Sequence, residues 1–324
     1  MKEKKYKGVV VPMVTPVTRE GKLDVEAVER IVTLFAKAGV SPLLMGTTGE
    51  GNSVSREDGL LLVQTAVKVK SCCAQQATSD SPMFIYAGLT GNCFSEQVTQ
   101  ADAYTKAGAD VIVATLPTYY ALTEEQMENY YTELAYRIDG PLMLYNILAT
   151  THMSIPVDVV RRLAQHPNIV GLKDSERDLD RMKECIDIAR DNEDFSYFCG
   201  WAAKSAYSLS IGADGIVPST ANVIPEEFKR LYDAAVSRNP DEAEQKQKET
   251  DKVAKVYQEG LTLGQSLAAL KVLMGTRKLC DPWMLPPLTR LNAEETRLVK
   301  SRYDMLVLEH LQDIKALLEE IKNG

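Results

Sequence analysis

The feature that most constrains this chain is a rhythm: an apolar run of strand length, then an amphipathic helical segment, repeated along the first two-thirds of the sequence. Val9–Val14 leads into a helix over Asp24–Ala38, with Gly39 as its stop, and Pro42–Gly46 leads into Ser55–Lys70. Met83–Ala87 precedes Ser95–Ala107, stopped by Gly108, and Val111–Thr115 precedes Thr123–Arg137. Leu142–Asn146 is followed by Pro156–Gln165, Ile169–Lys173 by Leu179–Arg190, Phe195–Cys199 by Lys204–Ser210, and Gly215–Val217 by Pro225–Ser237. Strand patterns alternating with helical ones build βαβ units, and this many predict a closed α/β barrel of the (β/α)8 TIM type. A doubly wound sheet is the main competitor. It is weakened because no GxGxxG follows any strand.

The rhythm stops after Ser237. Three helical stretches follow without strands, over Glu242–Glu259, Gln265–Leu273 and Ala293–Ile321, with Pro282, Pro286 and Pro287 breaking the chain between the last two. The sequence therefore predicts a catalytic barrel over residues 1–237 and a C-terminal helical extension over 238–324. The extension is expected to pack against the barrel or a neighbouring subunit, and none of its residues suggests chemistry. The charge-rich segment Asp241–Lys255 reads as a solvated helix face.

Composition excludes several classes of function. A formal charge of −8 and the lack of any Lys/Arg-dense block argue against nucleic acid as the main ligand. No apolar run reaches the ~20 residues of a membrane span. Gly8–Val14 reads as a first strand and not as the core of a signal peptide. The 6 cysteines include no CxxC spacing, and the 3 histidines (His152, His166 and His310) are dispersed, so neither a disulfide framework nor a zinc site is expected. Reduced thiols in the cytoplasm are the natural setting.

In a barrel of this kind the active site lies at the C-terminal ends of the strands. Those ends are Gly46-Thr-Thr-Gly-Glu50, Pro117-Thr-Tyr-Tyr120, Tyr145-Asn146, Lys173, Cys199-Gly-Trp201 and Val217-Pro-Ser219-Thr-Ala-Asn222. A charge at the end of a buried strand is unusual. Burial favours the neutral form of an amine, and a neutral amine is a nucleophile, so Lys173 is the candidate for a Schiff base with a carbonyl substrate. The Gly46–Gly49 turn offers backbone N–H groups and the Thr47 and Thr48 hydroxyls to a carboxylate. Tyr145 can carry protons to and from the substrate oxygen. Together they describe a site for an α-keto acid.

These motifs resemble, over essentially the whole chain, the dihydrodipicolinate synthase / N-acetylneuraminate lyase family of class I, pyruvate-dependent aldolases. The Gly-[Ser/Thr]-Thr-Gly-Glu box stands as Gly46–Glu50, the Tyr-Asn pair as Tyr145-Asn146, the lysine of the Gly-x-Lys segment as Lys173, and the eighth-strand Thr-Ala-Asn as Thr220–Asn222. The resemblance implies an imine between Lys173 and pyruvate or a pyruvate-derived keto acid, with no metal or organic cofactor. It implies Tyr145 as proton donor and acceptor. Thr47 and Thr48 would lie under the substrate carboxylate, with the Thr48 hydroxyl in a proton relay to Tyr145. Val217 would contact pyruvate through its backbone, with Ser219 beside it. Tyr119 would reach into a neighbouring subunit of a homodimer or homotetramer.

The departures bear on the second substrate. The synthase branch carries an arginine five residues after its tyrosine, where it holds the carboxylate of the aldehyde partner; here that position is Thr150. The sialic acid lyase branch has acidic residues after the glycine ending strand 7; here Gly200 is followed by Trp201-Ala-Ala203. Leu148 and His152 replace a proline and a glycine near Tyr145. His152 reads equally as a loop filler or as a substrate-facing acid/base. Trp201 could pack on the loops or stack on substrate, with substrate contact favoured by its position. The expected function is a lyase that makes or cleaves a 2-keto-3-deoxy acid of sugar-acid type with pyruvate, and a dehydratase using the same imine is a near relative. The synthase of lysine biosynthesis is the second enzymatic reading. A non-catalytic keto-acid-binding homologue is the rival from another class, and it gives no reason for Lys173, Tyr145 and both threonines to share one mouth.

Overall fold

The computed structural model describes residues 4–74 and 82–323, with side chains as far as residue 309. Its strands are β1 (Gly8–Pro12), β2 (Ser41–Leu44), β3 (Tyr86–Leu89), β4 (Val111–Thr115), β5 (Leu142–Asn146), β6 (Ile169–Asp174), β7 (Ser196–Cys199) and β8 (Gly215–Ile216). Each pairs in parallel with the next, and β8 pairs with β1, so the sheet closes as β1-β2-β3-β4-β5-β6-β7-β8. The helices between them are α1 (Val25–Ala38), α2 (Arg56–Ala74), α3 (Phe94–Lys106), α4 (Glu124–Arg137), α5 (Leu148–Thr151), α6 (Val157–Leu163), α7 (Leu179–Arg190), α8 (Ser205–Ser210) and α9 (Pro225–Val236). The chain is thus a (β/α)8 TIM barrel, continued by α10 (Pro240–Gln258), α11 (Leu263–Thr276) and α12 (Ala293–Asn323).

Two apolar clusters follow from the alternation of side chains along each strand. One face looks into the barrel, where Val10, Leu43, Tyr86, Val111, Val113, Met143, Tyr145, Phe198 and Val217 pack together. The opposite face meets the helices, for example Ile31, Val32 and Phe35 of α1, all fully buried. Each such side chain contributes about 1.5–3 kcal/mol relative to exposure, so the interior is a packed core and not a pore. Gly215 is required there: a Cβ would run into the Phe198 ring.

Local signals set the helix ends. Asp24 caps α1 by accepting from Ala27 N, and Gly39 ends it at φ +70°, a left-handed conformation that glycine adopts without steric penalty. Asp58 belongs to the start of α2, where it accepts from Ser55 Oγ at 3.0 Å. The strand expected over Met83–Ala87 begins later and ends later, at Tyr86–Leu89. The reason is that Phe84 N donates to Ser41 Oγ (3.0 Å) and Ile85 N to Asp110 Oδ2 (2.6 Å), so side chains satisfy those amides before the ladder starts. The short α5, between Tyr145-Asn146 and α6, was not expected from the sequence. No helix among the described residues is long and apolar enough to cross a membrane.

Candidate active site

Strands β5 and β6 deliver the two central side chains. Their register pairs Tyr145 with Lys173 and Asn146 with Asp174. Successive strand residues face opposite sides, so Tyr145 and Lys173 turn inward together while Asn146 and Asp174 turn outward. Inside, Lys173 Nζ lies 3.6 Å from the centroid of the Tyr145 ring. Both residues are buried, at 3% and 4% exposure. The Tyr145 hydroxyl lies 3.1 Å from Thr47 Oγ1, with either atom able to donate. Among the described residues no carboxylate pairs with Lys173; the adjacent carboxylate of Asp174 is directed to Arg181 instead.

Thr47 reaches Tyr145 from the turn after β2. Glu50 N donates to Thr47 O and Gly51 N to Gly46 O, each at 3.1 Å, closing the turn. Thr15 Oγ1 donates to Gly49 O at 2.5 Å and ties it to the loop after β1. A Cβ on Gly49 would stand 2.7 Å from Met13 O, so this backbone approaches its neighbour too closely for any other residue. Of the two threonines, Thr47 makes the bond to Tyr145, where the sequence reading placed Thr48. Adjacent residues of a tight turn direct their side chains differently, and the turn here aims Thr47 at β5 while Thr48 is buried at 8% exposure.

The outward pair anchors a polar network behind the strands. Asp174 accepts from Asn146 Nδ2 at 2.9 Å, Arg181 Nε at 2.8 Å and Glu176 N at 3.0 Å. Arg181 also donates from Nη1 to Ile155 O at 2.6 Å, and Ile155 N donates to Asn146 Oδ1 at 3.0 Å. Glu176 Oε2 accepts from Asn146 Nδ2 (2.8 Å) and Ser154 Oγ (2.6 Å). Burial pushes the Asp174 carboxyl above the ordinary carboxylate range, against the pull of Arg181 and its hydrogen bonds. Burial also opposes the Arg181 charge, but Asp174 and the groups around it raise its pKa overall. The network fixes the β5–β6 register and the loop from Ile147 to Ile155.

The other candidate residues lie as follows. Val217 is buried in the inner cluster, and its N–H donates to Cys199 O at 2.8 Å. Ser219 Oγ meets the Tyr257 hydroxyl of α10 at 2.8 Å, so this side chain is turned to the extension. Thr150 is half-buried on α5, and His152 is exposed just beyond it. His152 has φ +58°, the left-handed conformation in which a glycine would be unstrained. Trp201 is half-buried and packs on the cluster between sheet and helices, with Lys204 Nζ 5.6 Å from its ring centroid. Tyr119 is 78% exposed and meets Tyr120 edge-on, with ring centroids 5.0 Å apart. Asn92 Oδ1 holds this loop, accepting from Thr118 N at 2.7 Å and Tyr119 N at 3.0 Å.

The chain matches the dihydrodipicolinate synthetase family over residues 5–304. It belongs to that family. The 4-hydroxy-tetrahydrodipicolinate synthase of Laribacter hongkongensis is 32% identical over 232 residues, covering 71% of this chain and 76% of the relative. An uncharacterized DapA-like lyase of Thermococcus kodakarensis is 30% identical over 309 residues, 94% of this chain and 100% of the relative. Among solved structures, dihydrodipicolinate synthase from Aquifex aeolicus superposes with TM-score 0.81 at 25% identity, covering 95% of this chain and 98% of that one. The enzyme from Bacteroides thetaiotaomicron has the same fold, with TM-score 0.85 at 24% identity over 94% and 99% of the two chains. Members of the family are class I, pyruvate-dependent lyases of aldolase or synthase type, in which a lysine carries the Schiff base without an added cofactor.

The residues that support the site from behind lie outside the motifs of the sequence. Arg181 lies seven residues beyond Asp174, on the next helix. Lys271 lies in α11 with 1% side-chain exposure, paired with Glu50 of the Gly46–Glu50 box. A signal for Lys271 was present: it is the one charge in the run Leu267–Met274, in a helix buried all round at that point.

Proposed function

We propose that this chain is a Schiff-base lyase that cleaves or forms a 2-keto-3-deoxy acid of sugar-acid type, with pyruvate as product or substrate. The carrying observation is the stack of Lys173 Nζ on the Tyr145 ring, with the Tyr145 hydroxyl bonded to Thr47. In the cleavage direction Lys173 Nζ adds to the C2 carbonyl, whose oxygen leaves as water, giving a protonated imine. The Gly46–Gly49 turn receives the substrate carboxylate through its N–H groups and the Thr47 and Thr48 hydroxyls. Tyr145 accepts the proton of the C4 hydroxyl as the C3–C4 bond breaks. The bonding pair moves into the imine to give an enamine, and C4 departs as the aldehyde. The proton returns to C3 through Tyr145 and Thr47, and water hydrolyses the imine to release pyruvate. The backbone of Val217 lines the pyruvate side, with Ser219 beyond it.

The sugar-acid assignment rests on the residue types at the positions expected to face the second substrate. Thr150 offers a hydroxyl where a synthase would present a guanidinium, and His152 and Trp201 add a ring nitrogen and a flat apolar surface suited to a polyhydroxy chain. The name of the Laribacter hongkongensis relative favours a second reading, the 4-hydroxy-tetrahydrodipicolinate synthase reaction. We place the enzyme in the cytoplasm as a homodimer or homotetramer, supported by 6 free cysteines and by the exposed Tyr119 loop.

Incubation with pyruvate and borohydride, followed by intact mass, tests the imine. A stable pyruvyl adduct that is lost in Lys173→Ala is expected, and no adduct at saturating pyruvate refutes the proposal. Offering a panel of aldehydes with pyruvate then separates the two readings. Efficient turnover of aspartate semialdehyde would favour the synthase; preference for hydroxyaldehydes supports the sugar-acid lyase.

A further inference from the structure

Glu50 closes the Gly46–Glu50 box, yet its side chain leaves the mouth and enters the helical extension. Glu50 Oε1 lies 2.5 Å from Lys271 Nζ of α11, and the two side chains are 0% and 1% exposed. Glu50 Oε2 accepts from Leu285 N at 2.7 Å, and Lys271 Nζ donates to Trp283 O, also at 2.7 Å. One carboxylate therefore joins the substrate turn both to α11 and to the segment after it. Glu50 adopts φ +55°, a left-handed conformation that costs a residue with a Cβ about 1 kcal/mol or more and persists where surrounding contacts enforce it.

A buried ion pair is a poor stabiliser, since desolvation of both charges offsets most of their attraction. What it does provide is position. Thr47, three residues before Glu50, makes the bond to Tyr145, so a shift of Glu50 is transmitted through a tight turn to the proton-carrying hydroxyl and to the carboxylate-binding N–H groups. The extension reaches the mouth again at Tyr257, whose hydroxyl meets Ser219 Oγ at 2.8 Å and Thr220 Oγ1 at 3.0 Å. We propose that Lys271, lodged in the extension, is a positioning residue for the substrate-carboxylate turn, acting through Glu50 on Thr47 and Thr48. This inference rests on the proposed Schiff-base reaction.

The test compares Lys271→Met with Lys4→Ala in the full-length chain. Lys4 ties down the opposite end of the barrel, where its Nζ donates to Ala189 O (2.6 Å), Asn192 O (2.6 Å) and Phe195 O (2.5 Å). Pyruvate KM and the rate of borohydride trapping at low pyruvate are measured well below each variant's melting temperature, with amide exchange at Thr47–Gly51 followed in parallel. In Lys271→Met, pyruvate KM rises about ten- to a hundredfold, the effect of a displacement near 1 Å. Saturating pyruvate still labels Lys173, and exchange at the turn quickens. In Lys4→Ala stability falls with KM unchanged. If Lys271→Met does not fold, Glu50→Gln/Lys271→Met removes both charges at nearly constant volume and carries the same expectation. A pyruvate KM within about twofold of wild type in both Lys271 variants overturns the inference while leaving the imine intact. If the wild-type chain itself takes no pyruvate, the proposed reaction fails, and unaltered exchange at Thr47–Gly51 in the variant separately overturns the positioning role.

Discussion

Lys173 and Tyr145 meet in one short contact, the amine over the ring at 3.6 Å, and Thr47 completes the line at 3.1 Å from the phenol. The expected hierarchy of substitutions follows. Tyr145→Phe keeps the ring under the amine and removes only the proposed proton carrier, so kcat is expected to fall about 10²–10⁴-fold while the pyruvate adduct still forms. On the proposed roles, Thr47→Val loses the hydroxyl bonded to Tyr145 and part of the carboxylate cradle, whereas Thr48→Val loses only the cradle. The steeper kcat loss therefore belongs to Thr47, and steady-state kinetics on the two variants distinguishes them. His152→Gly relieves a left-handed φ and is expected to raise stability by about 1 kcal/mol in denaturant unfolding. If His152 faces substrate, the same change alters kcat or aldehyde preference and leaves imine formation intact. The cysteines allow a pH test. Cys93 is exposed, and a hydrogen bond with Ser95 together with the Glu96 N–H lowers its pKa. Cys185 and Cys199 are pushed up by burial to about 12 and about 11. The lowered group becomes thiolate at lower pH and the raised ones stay protonated. Iodoacetamide labelling mapped by mass spectrometry should thus begin at Cys93 below the ordinary thiol range and reach Cys185 and Cys199 only on unfolding.

At the scale of elements, β5 and β6 act as a pair. Their outward residues Asn146 and Asp174 hydrogen-bond across the register that sets Tyr145 beside Lys173 inside, and Arg181 of α7 closes the network. Asp174→Ala leaves the buried Arg181 guanidinium with only the longer carboxylate contact, to Glu176 at 3.5 Å, and is expected to cost about 3 kcal/mol in denaturant unfolding. Asp174→Leu combined with Arg181→Met should cost much less, because both charges leave together. Both sets of variants should loosen the β5–α6 loop that carries Thr150 and His152, read as altered aldehyde KM. The sequence showed that these strands exist and that Lys173 ends one of them. It did not show the network, because Asp174 and Arg181 are ordinary residues for a strand end and a helix start until the fold apposes them. For β3 the apolar run was legible but its boundaries were not, since Ser41 and Asp110 take the first amides through side chains.

The whole molecule is a barrel whose interior is filled from below by Tyr6, Tyr86 and Phe198 and opens above at the strand ends. Its helical extension is tied into that mouth through Lys271 and Tyr257. Tyr119 and Tyr120, both more than 70% exposed, project from the same end. If Tyr119 completes a neighbour's site, Tyr119→Phe and Lys173→Ala are each impaired alone, whereas mixed assemblies contain sites with both native residues. Activity regained on co-refolding the two variants would establish the shared site. A chain that sediments as a monomer at working concentration, with full activity, would exclude it.

The sequence by itself determined the barrel and the identity of its mouth. Hydrophobic periodicity is a local property, and the parallel barrel assigns every strand end to one face, so Lys173, Tyr145 and the Gly46–Glu50 box could be grouped before any contact was known. Tertiary structure decided which of two adjacent hydroxyls meets the phenol, that Ser219 turns to α10, and that a lysine in the extension pairs with the carboxylate of the Gly46–Glu50 box. These are pairings between residues distant in sequence, such as Glu50 with Leu285 across 235 positions. Their energetics depend on burial and on direction within a turn, and neither is encoded in the spacing of residue types along the chain.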